Sequence, residues 1–357
     1  IEASKGDPVA TKFFQQAQKL MKGKIDVLRI SDHNTTGLVG ADTDDTKTPW
    51  HQLVKGRGSS NKNINSGGSF GIGKAAPLAC SYFHTIFYAS KVDDVDSYVG
   101  VSRLLSFEAK ESGFFGKEYT TTGTGFYSAS DNMNAILKPF AMGSFRRKDN
   151  GTDIYILALE KDKDLYGTIR LAVLENFFVS IEFQKLVVHV GQDTLDRNSL
   201  AQYIAQLDDK KYAALKDYYN LLIHRHDDPE DNRVIILDAD EYGKKYGIKD
   251  GECTLLLRQG EDLNQRVLMT RKTGMTLFPQ SRLGNSISYT GILLIQGDTM
   301  NQIFKAMEMP AHDKWEPGRC KVDKTFYENA YTDLRQYIRK KIIDNFGAAQ
   351  QDIEGAY

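Results

Sequence analysis

The chain has 357 residues, 41% of them hydrophobic and 26% charged, with a formal net charge of -1. That length allows two domains with cores of their own, and the near-neutral balance gives no indication of a strongly basic nucleic-acid protein or an acidic tail. Three cysteines, Cys80, Cys253 and Cys320, are far apart and odd in number. They form neither a zinc pair nor a disulfide framework, so reduced thiols in a cytoplasmic protein are expected. No apolar run approaches the ~18 residues of a membrane helix, and no leader segment is expected.

Val9, Phe13, Ala17 and Leu20 mark one face of a first helix, stopped by Gly23. "KIDVLRISD" (24–32) reads as a strand ending at Asp32. From His33 to Gly73 the chain is polar and rich in Gly, Ser, Asn and Thr, predicting a long loop with at most short helices. "KAAPLACSY" opens a small-residue helix; 84–90 and 97–105 read as strands; 106–150 is turn-rich; "GTDIYILAL" (151–159) is a strand opened by Gly-Thr. A helix over 164–183 and a strand at 185–190 follow. Further on, 195–223 is helical, then strands are predicted at 233–239, 253–259, 266–278 and 289–297, a helix at 299–308, and a last amphipathic helix through Phe326, Ala330, Leu334, Tyr337 and Ile338.

"SGGSFGIGKAAP" (66–77) nearly spells a phosphate-binding P-loop, with Gly68, four residues, then Gly73 and Lys74. A P-loop needs a buried strand before its first glycine and a hydroxyl for magnesium after its lysine. "GRGSSNKNINSG" cannot be that strand, and Ala75 has no hydroxyl. The glycines are nonetheless ordered as G-x-x-G-x-G, with Phe70 and Ile72 interleaved, which suits a loop anchored to a core better than a solvated tether. Glycines let the backbone approach an anion, and a helix starting near Lys74 would aim its free N–H groups there. A lysine at a helix start opposes the helix dipole unless an anion sits beside it.

Four blocks then fall in order: "IEAS" at the start, "RISDHNTTGL" (29–38), "GSFGIGK" (68–74) and "GTDI" (151–154). In this the first 190 or so residues resemble the GHKL ATPases, the group of gyrase B, the ninety-kilodalton heat-shock chaperones, histidine kinases and MutL-type repair proteins. The resemblance implies an α/β (α+β) fold: a Bergerat-type ATP-binding sandwich of mixed sheet and helices over 1–192, with a lid at about 38–73, then a transducer-like α/β domain over 193–357. It implies ATP and Mg2+ as cofactors. Asp32 would accept the adenine amine, Gly37 would be the adenine-side glycine, and Asn34 would orient the loop or reach the nucleotide through water. Thr152 would stand beside Asp32, and Gly68, Gly71, Ile72, Gly73 and Lys74 would serve the phosphates. A carboxylate suits adenine because N6 is a donor where guanine has an acceptor. The second block is one residue longer than the usual D-x-G-x-G, and Glu2-Ala3 matches only the end of the first block. The magnesium-binding Asn and the water-activating Glu would fall just before Ile1, so no catalytic residue is assigned within the chain.

The same resemblance implies a basic residue of the second domain that reaches the γ-phosphate, and "VLMTRKTGMTLF" offers Arg271 and Lys272. "HRHDDPED" (224–231) reads as a solvated loop and not a metal site, and His312-Asp313 has no nucleophile to serve. "RRKD" (146–149) and "RKK" (339–341) read as solvated basic faces. The expected function is a GHKL-type ATPase whose nucleotide state moves a lid and a second domain, as a homodimer or with a partner protein; the resemblance suggests DNA repair or anti-phage defence. The alternative is a non-hydrolysing nucleotide-binding scaffold of the same fold. A histidine kinase would need its helical dimerisation segment before the ATP domain, where this chain's second domain follows it.

Overall fold

Asp7 starts the first helix, α1 (Pro8–Met21), by accepting hydrogen bonds from the backbone of Val9 and Ala10, with Pro8 in the first turn. The computed structural model describes residues 4, 6–56, 73–110, 118–130, 134–159, 163–284 and 287–347. They are divided between two compact units, one within residues 1–162 and one from 163 onward.

The first unit is built on a five-stranded sheet, β1 (Val27–Ser31), β2 (Thr85–Val92), β3 (Val95–Arg103), β6 (Thr124–Tyr127) and β7 (Gly151–Leu157). Its order is β1-β7-β2-β3-β6, antiparallel at every pairing. Alternation decides the faces. Ile86, Tyr88, Val99, Val101 and Ile156 turn toward Trp50 and Val54 of α2 (Pro49–Val54) and Leu78 of α3 (Ala76–Ala79). Among the remaining side chains, Phe87, Tyr98, Tyr127, Phe140 and Tyr155 form an aromatic cluster. The turn-rich stretch also holds the small ladder of β4 (Glu108–Lys110) and β5 (Glu118–Thr120). On α1 the expected apolar face is only partly used: Val9 is 67% and Leu20 43% exposed, while Phe13 and Phe14 pack on His84 and Phe107.

The second unit starts with α4 (Leu165–Glu182), the hairpin β8 (Val188–Val190) and β9 (Asp193–Leu195), α5 (Arg197–Ala205) and α6 (Ala213–Ile223). Its sheet has the order β10 (Asn232–Ile236), β11 (Cys253–Gln259), β14 (Tyr289–Ile295), β12 (Arg266–Thr270), β13 (Thr276–Gln280), with β12 and β14 parallel. Leu255, Leu257, Val267, Met269 and Leu293 pack with α7 (Asp298–Met307) and α8 (Lys324–Phe346). The alternate residues Leu256, Leu268, Ile292 and Leu294 pack with α4, α5 and α6. The chain is thus α+β: an antiparallel sheet with helices, then a mixed sheet between two helical layers. The compact units part at 162/163, whereas the motif order suggested a boundary near 192, because Leu174 and Phe178 of α4 belong to the second unit's core.

The strand expected over 266–278 is two strands. The Gly274 N–H donates to Arg271 O at 2.8 Å, and Gly274 has φ +86°, so the chain reverses there. A side chain at Gly274 would meet the Ser180 backbone at 3.0 Å, and Ser180 Oγ donates to Thr273 O at 2.9 Å, which pins the turn to α4. Among the described residues, no helix is long and apolar enough to cross a membrane.

Candidate functional site

The antiparallel register of β1 and β7 opposes Ser31 to Asp153, so Asp32 leaves its strand beside the Gly151-Thr152 pair that opens the other. Asp32 N–H donates to Thr152 O at 3.0 Å, and Thr152 N–H donates in return to Asp32 Oδ1. Thr35 Oγ1 donates to the same oxygen at 3.1 Å. The carboxylate is exposed, and no described residue hydrogen-bonds its Oδ2. Two motifs 120 residues apart therefore make one junction, with one carboxylate oxygen held and the other open to a donor.

The loop beyond Asp32 has left-handed bends at Asn34 (φ +57°) and Gly37 (φ +68°). Gly37 lies so close to β2 that a methyl group would stand 2.5 Å from Lys91 O. Ser90, 3% exposed, ties this turn to the Gly-Thr strand: its hydroxyl accepts from Leu38 N–H at 2.8 Å and donates to Gly151 O at 3.0 Å.

Gly68, Gly71 and Ile72 lie outside the described residues. Gly73 and Lys74 open a 3-10 turn (Gly73–Ala75). The Lys74 ammonium donates to Gln52 O at 3.1 Å and to Gly56 O, carbonyls at the end of α2, where a cation suits the helix dipole. Part of the span expected as a lid is built into the core: Trp50 is 2% and Val54 4% exposed. Thr48 caps their helix, accepting from His51 N–H, and Trp50 N–H donates to Val39 O at 3.1 Å.

Beneath the Asp32–Thr152 junction lies a charge cluster that the sequence pattern did not suggest. Arg147, its side chain only 6% exposed, grips the 2% exposed Asp153 with Nε and Nη2, both at 2.8 Å. Its Nη2 also donates to Thr152 O at 3.0 Å. Ser31 Oγ donates to Asp153 Oδ1 at 2.5 Å, and His33 Nδ1 lies 2.7 Å from Asp149 Oδ2. Burial pulls the Arg147 pKa down, but the hydrogen bond to Asp153 and the charges of Asp153, Asp149 and Asp32 raise it overall. The His33 hydrogen bond holds the Asp149 carboxyl below its ordinary range. One signal could have exposed the pair: Asp153 shares its face of β7 with the buried Tyr155, and a charge on a buried face needs a partner.

In the second unit Arg271 is 4% exposed and paired with Glu308 through Nε (2.7 Å) and Nη2 (2.5 Å). Lys272, at the hairpin tip, meets Asp298 at 2.6 Å, with side chains 34% and 54% exposed. His312 contacts Glu308. His224 pairs with the exposed Asp227 at 2.7 Å, as a solvated loop would. Among the described residues, no group of three or more His, Cys, Asp or Glu is placed to hold a metal ion. A cavity of about 530 Å³ opens at the other end of β1, lined by Gln16, Leu20, Ile25, Tyr82 and Leu159, and none of the candidate residues lines it.

No protein-family model and no curated protein matches the chain. Among solved structures it is similar to the 43K ATPase domain of Thermus thermophilus gyrase B in complex with an aminocoumarin, at 12% identity and a TM-score of 0.34, over 99% of this chain and 92% of that one. A likeness that loose adds nothing to the chemistry of the site, which rests on the residues above.

Proposed function

We propose that the chain binds ATP through Asp32 and its neighbours and works as a GHKL-type ATPase. The observation that carries this reading is the joining of Asp32 to Gly151-Thr152, with Oδ1 fixed and Oδ2 left to accept. In this reading Oδ2 takes the adenine N6 amine, the Thr152 hydroxyl faces the ring, and Gly37 and Asn34 shape the turn alongside. Guanine would set an acceptor against a carboxylate and leave both unpaired, which disfavours it. The backbone of Gly68, Gly71, Ile72 and Gly73 would receive the phosphates, and Lys74 would add its charge by leaving the Gln52 and Gly56 carbonyls it donates to here. Magnesium would arrive with the triphosphate; among the described residues no group of three or more His, Cys, Asp or Glu is placed to hold it.

The turnover residue is unassigned. The sensor role suggested by the resemblance would fall to Lys272, whose partner Asp298 is half in solvent, or to Arg271, which is buried against Glu308. Binding and hydrolysis would close the part of the lid that is not built into the core and shift the second unit or a partner copy, in a setting such as DNA repair or anti-phage defence. Isothermal titration of ATP into Asp32→Asn tests the core of this. Loss of a charge-assisted hydrogen bond should weaken binding on the order of 10- to 100-fold. Wild-type affinity in that variant would remove the reading. Phosphate release by the wild-type chain separates an ATPase from a scaffold that only binds.

A further inference from the structure

The geometry points to Arg147 as the residue that positions Asp32 for adenine; the inference rests on the proposed ATP reading and deepens it. Arg147 never reaches the open side of the junction. It acts from below, through two contacts. Its Nη2 holds Thr152 O, the carbonyl that also accepts from Asp32 N–H. Its Nε and Nη2 hold Asp153, the register partner of Ser31, while Ser31 Oγ closes the same carboxylate from β1. Both strands at the junction are thus tied to one planar guanidinium, whose fixed fork suits such a double grip.

The third nitrogen, Nη1, is fully buried and has no hydrogen-bond partner. It lies against Gly151, where an added methyl group would run into it and into Asp32 O at 2.5 Å and Asp32 Oδ1 at 2.8 Å. The buried nitrogen and the held oxygen of Asp32 thus approach the same face of Gly151, and the charge of Asp32 adds to those of Asp153 and Asp149 in acting on the guanidinium. Three carboxylates, Asp32, Asp149 and Asp153, face this one cation, and Asp149 is 3.7 Å from Nη1. Asp153 and Asp149 are engaged by Arg147 and by Ser31 and His33. Of the three, Asp32 is the one bonded to Thr152 at the junction, and its Oδ2 accepts no hydrogen bond from a described residue. Gly151 is glycine because this approach of guanidinium and carboxylate leaves no room for a Cβ. A positioning residue of this kind should govern which purine is accepted, because it sets where the acceptor points.

Titration of ATP and of GTP into the full chain and four variants tests this: Asp32→Ala, Arg147→Lys, Arg147→Met and the double variant Arg147→Met/Asp153→Leu. Arg147→Met leaves Asp153 buried and unpaired and is the variant least able to fold; the double variant removes the pair together, which buried ion pairs often tolerate. A thermal melt identifies the folded ones. The expected result is a folded double variant with ATP affinity lowered about tenfold, the size of one charge-assisted hydrogen bond, and an ATP-over-GTP preference narrowed by a similar factor. Arg147→Lys, which keeps the charge and loses the fork, should fall between it and wild type. Wild-type affinity and preference in either folded variant would overturn the proposal. So would an equal loss for ATP and GTP, the mark of a merely structural role. If the double variant does not fold, Arg147→Lys decides by the same criteria. Undiminished ATP binding by Asp32→Ala is a different failure: it removes the ATP reading itself, and this inference with it.

Discussion

Each unit buries one arginine against one carboxylate, and the two pairs differ in what surrounds them. Arg271 and Glu308 sit 4% and 1% exposed beside the larger core of the second unit, with His312 in contact with both. Arg147 and Asp153 are as deeply placed, at 6% and 2%, yet lie under a solvent-facing junction where two further acids, Asp32 and Asp149, crowd the same cation. The Arg271–Glu308 pair ties the turn after β12 to the end of α7 and serves to hold elements together. A cation outnumbered by acids at the edge of solvent leaves one acid with bonding capacity to spare. On the proposed reading, it is this local surplus of acid, and not burial of charge alone, that would mark a binding site.

The contrast can be tested by breaking the second unit's pair first. Arg271→Met leaves Glu308 buried with only the His312 ring against its carboxylate and should cost about 3–5 kcal/mol of stability, most of it recovered in Arg271→Met/Glu308→Leu. The molecule carries its own reporters, since its two tryptophans are Trp50 in the first unit and Trp315 in the second. Denaturant titrations of Trp→Phe versions should show the loss at Trp315; an equal loss at Trp50 would refute the assignment to one unit. Gly37→Ala forces a left-handed side chain against Lys91 O, a strain of about 1–3 kcal/mol that should appear at Trp50 together with weaker ATP binding. Lys272→Ala removes an exposed pair worth less than about 1 kcal/mol, so the melt should hardly move while ATP turnover falls; unchanged turnover would end its sensor role.

The smallest effect near neutrality, and one that grows in alkali, concerns the units' titrating cores. Burial pushes the Cys253 thiol up to about 12, and Tyr289 also to about 12, both in the second unit, while Tyr218, Tyr242 and Tyr337 are raised further by burial. In the first unit burial raises Tyr88 to about 12 and Tyr155 above its ordinary value. A folded pKa above the unfolded one gives stability that is whole below the ordinary thiol or phenol range and lost as pH climbs toward 12. The Trp315 signal should therefore report unfolding at a lower alkaline pH than Trp50. The reverse order would show that other groups dominate.

Periodicity made most of this fold legible. The strand ending at Asp32, the Gly-Thr strand and the helices over 8–21, 165–182 and 298–307 stand close to where their apolar spacing put them. Motif order made Asp32 and Thr152 candidates together, and the register of β1 on β7 brings them into hydrogen-bond contact. Arg147 was hidden because a run such as "RRKD" looks the same whether it is solvated or folded under a sheet; only the position of Asp153 distinguishes the cases. Trp50 was hidden inside a polar stretch, although Thr48-Pro49 before it is a helix-start signal. The 271–275 reversal was hidden because apolar runs, Val267–Met269 and Leu277-Phe278, flank it on both sides and read as one strand, and the decisive contact, Gly274 on Ser180, lies about ninety residues back in sequence.

Ser90 has a consequence of its own. One hydroxyl receives the backbone of Leu38 and gives to the backbone of Gly151, so the bend at Gly37 and the start of the Gly-Thr strand share a single oxygen. Displace either and the other loses its bond by the same motion. Two stretches of chain that have no sequence proximity are thereby geared together, and exchanging that serine for alanine would unmesh them without touching a charge.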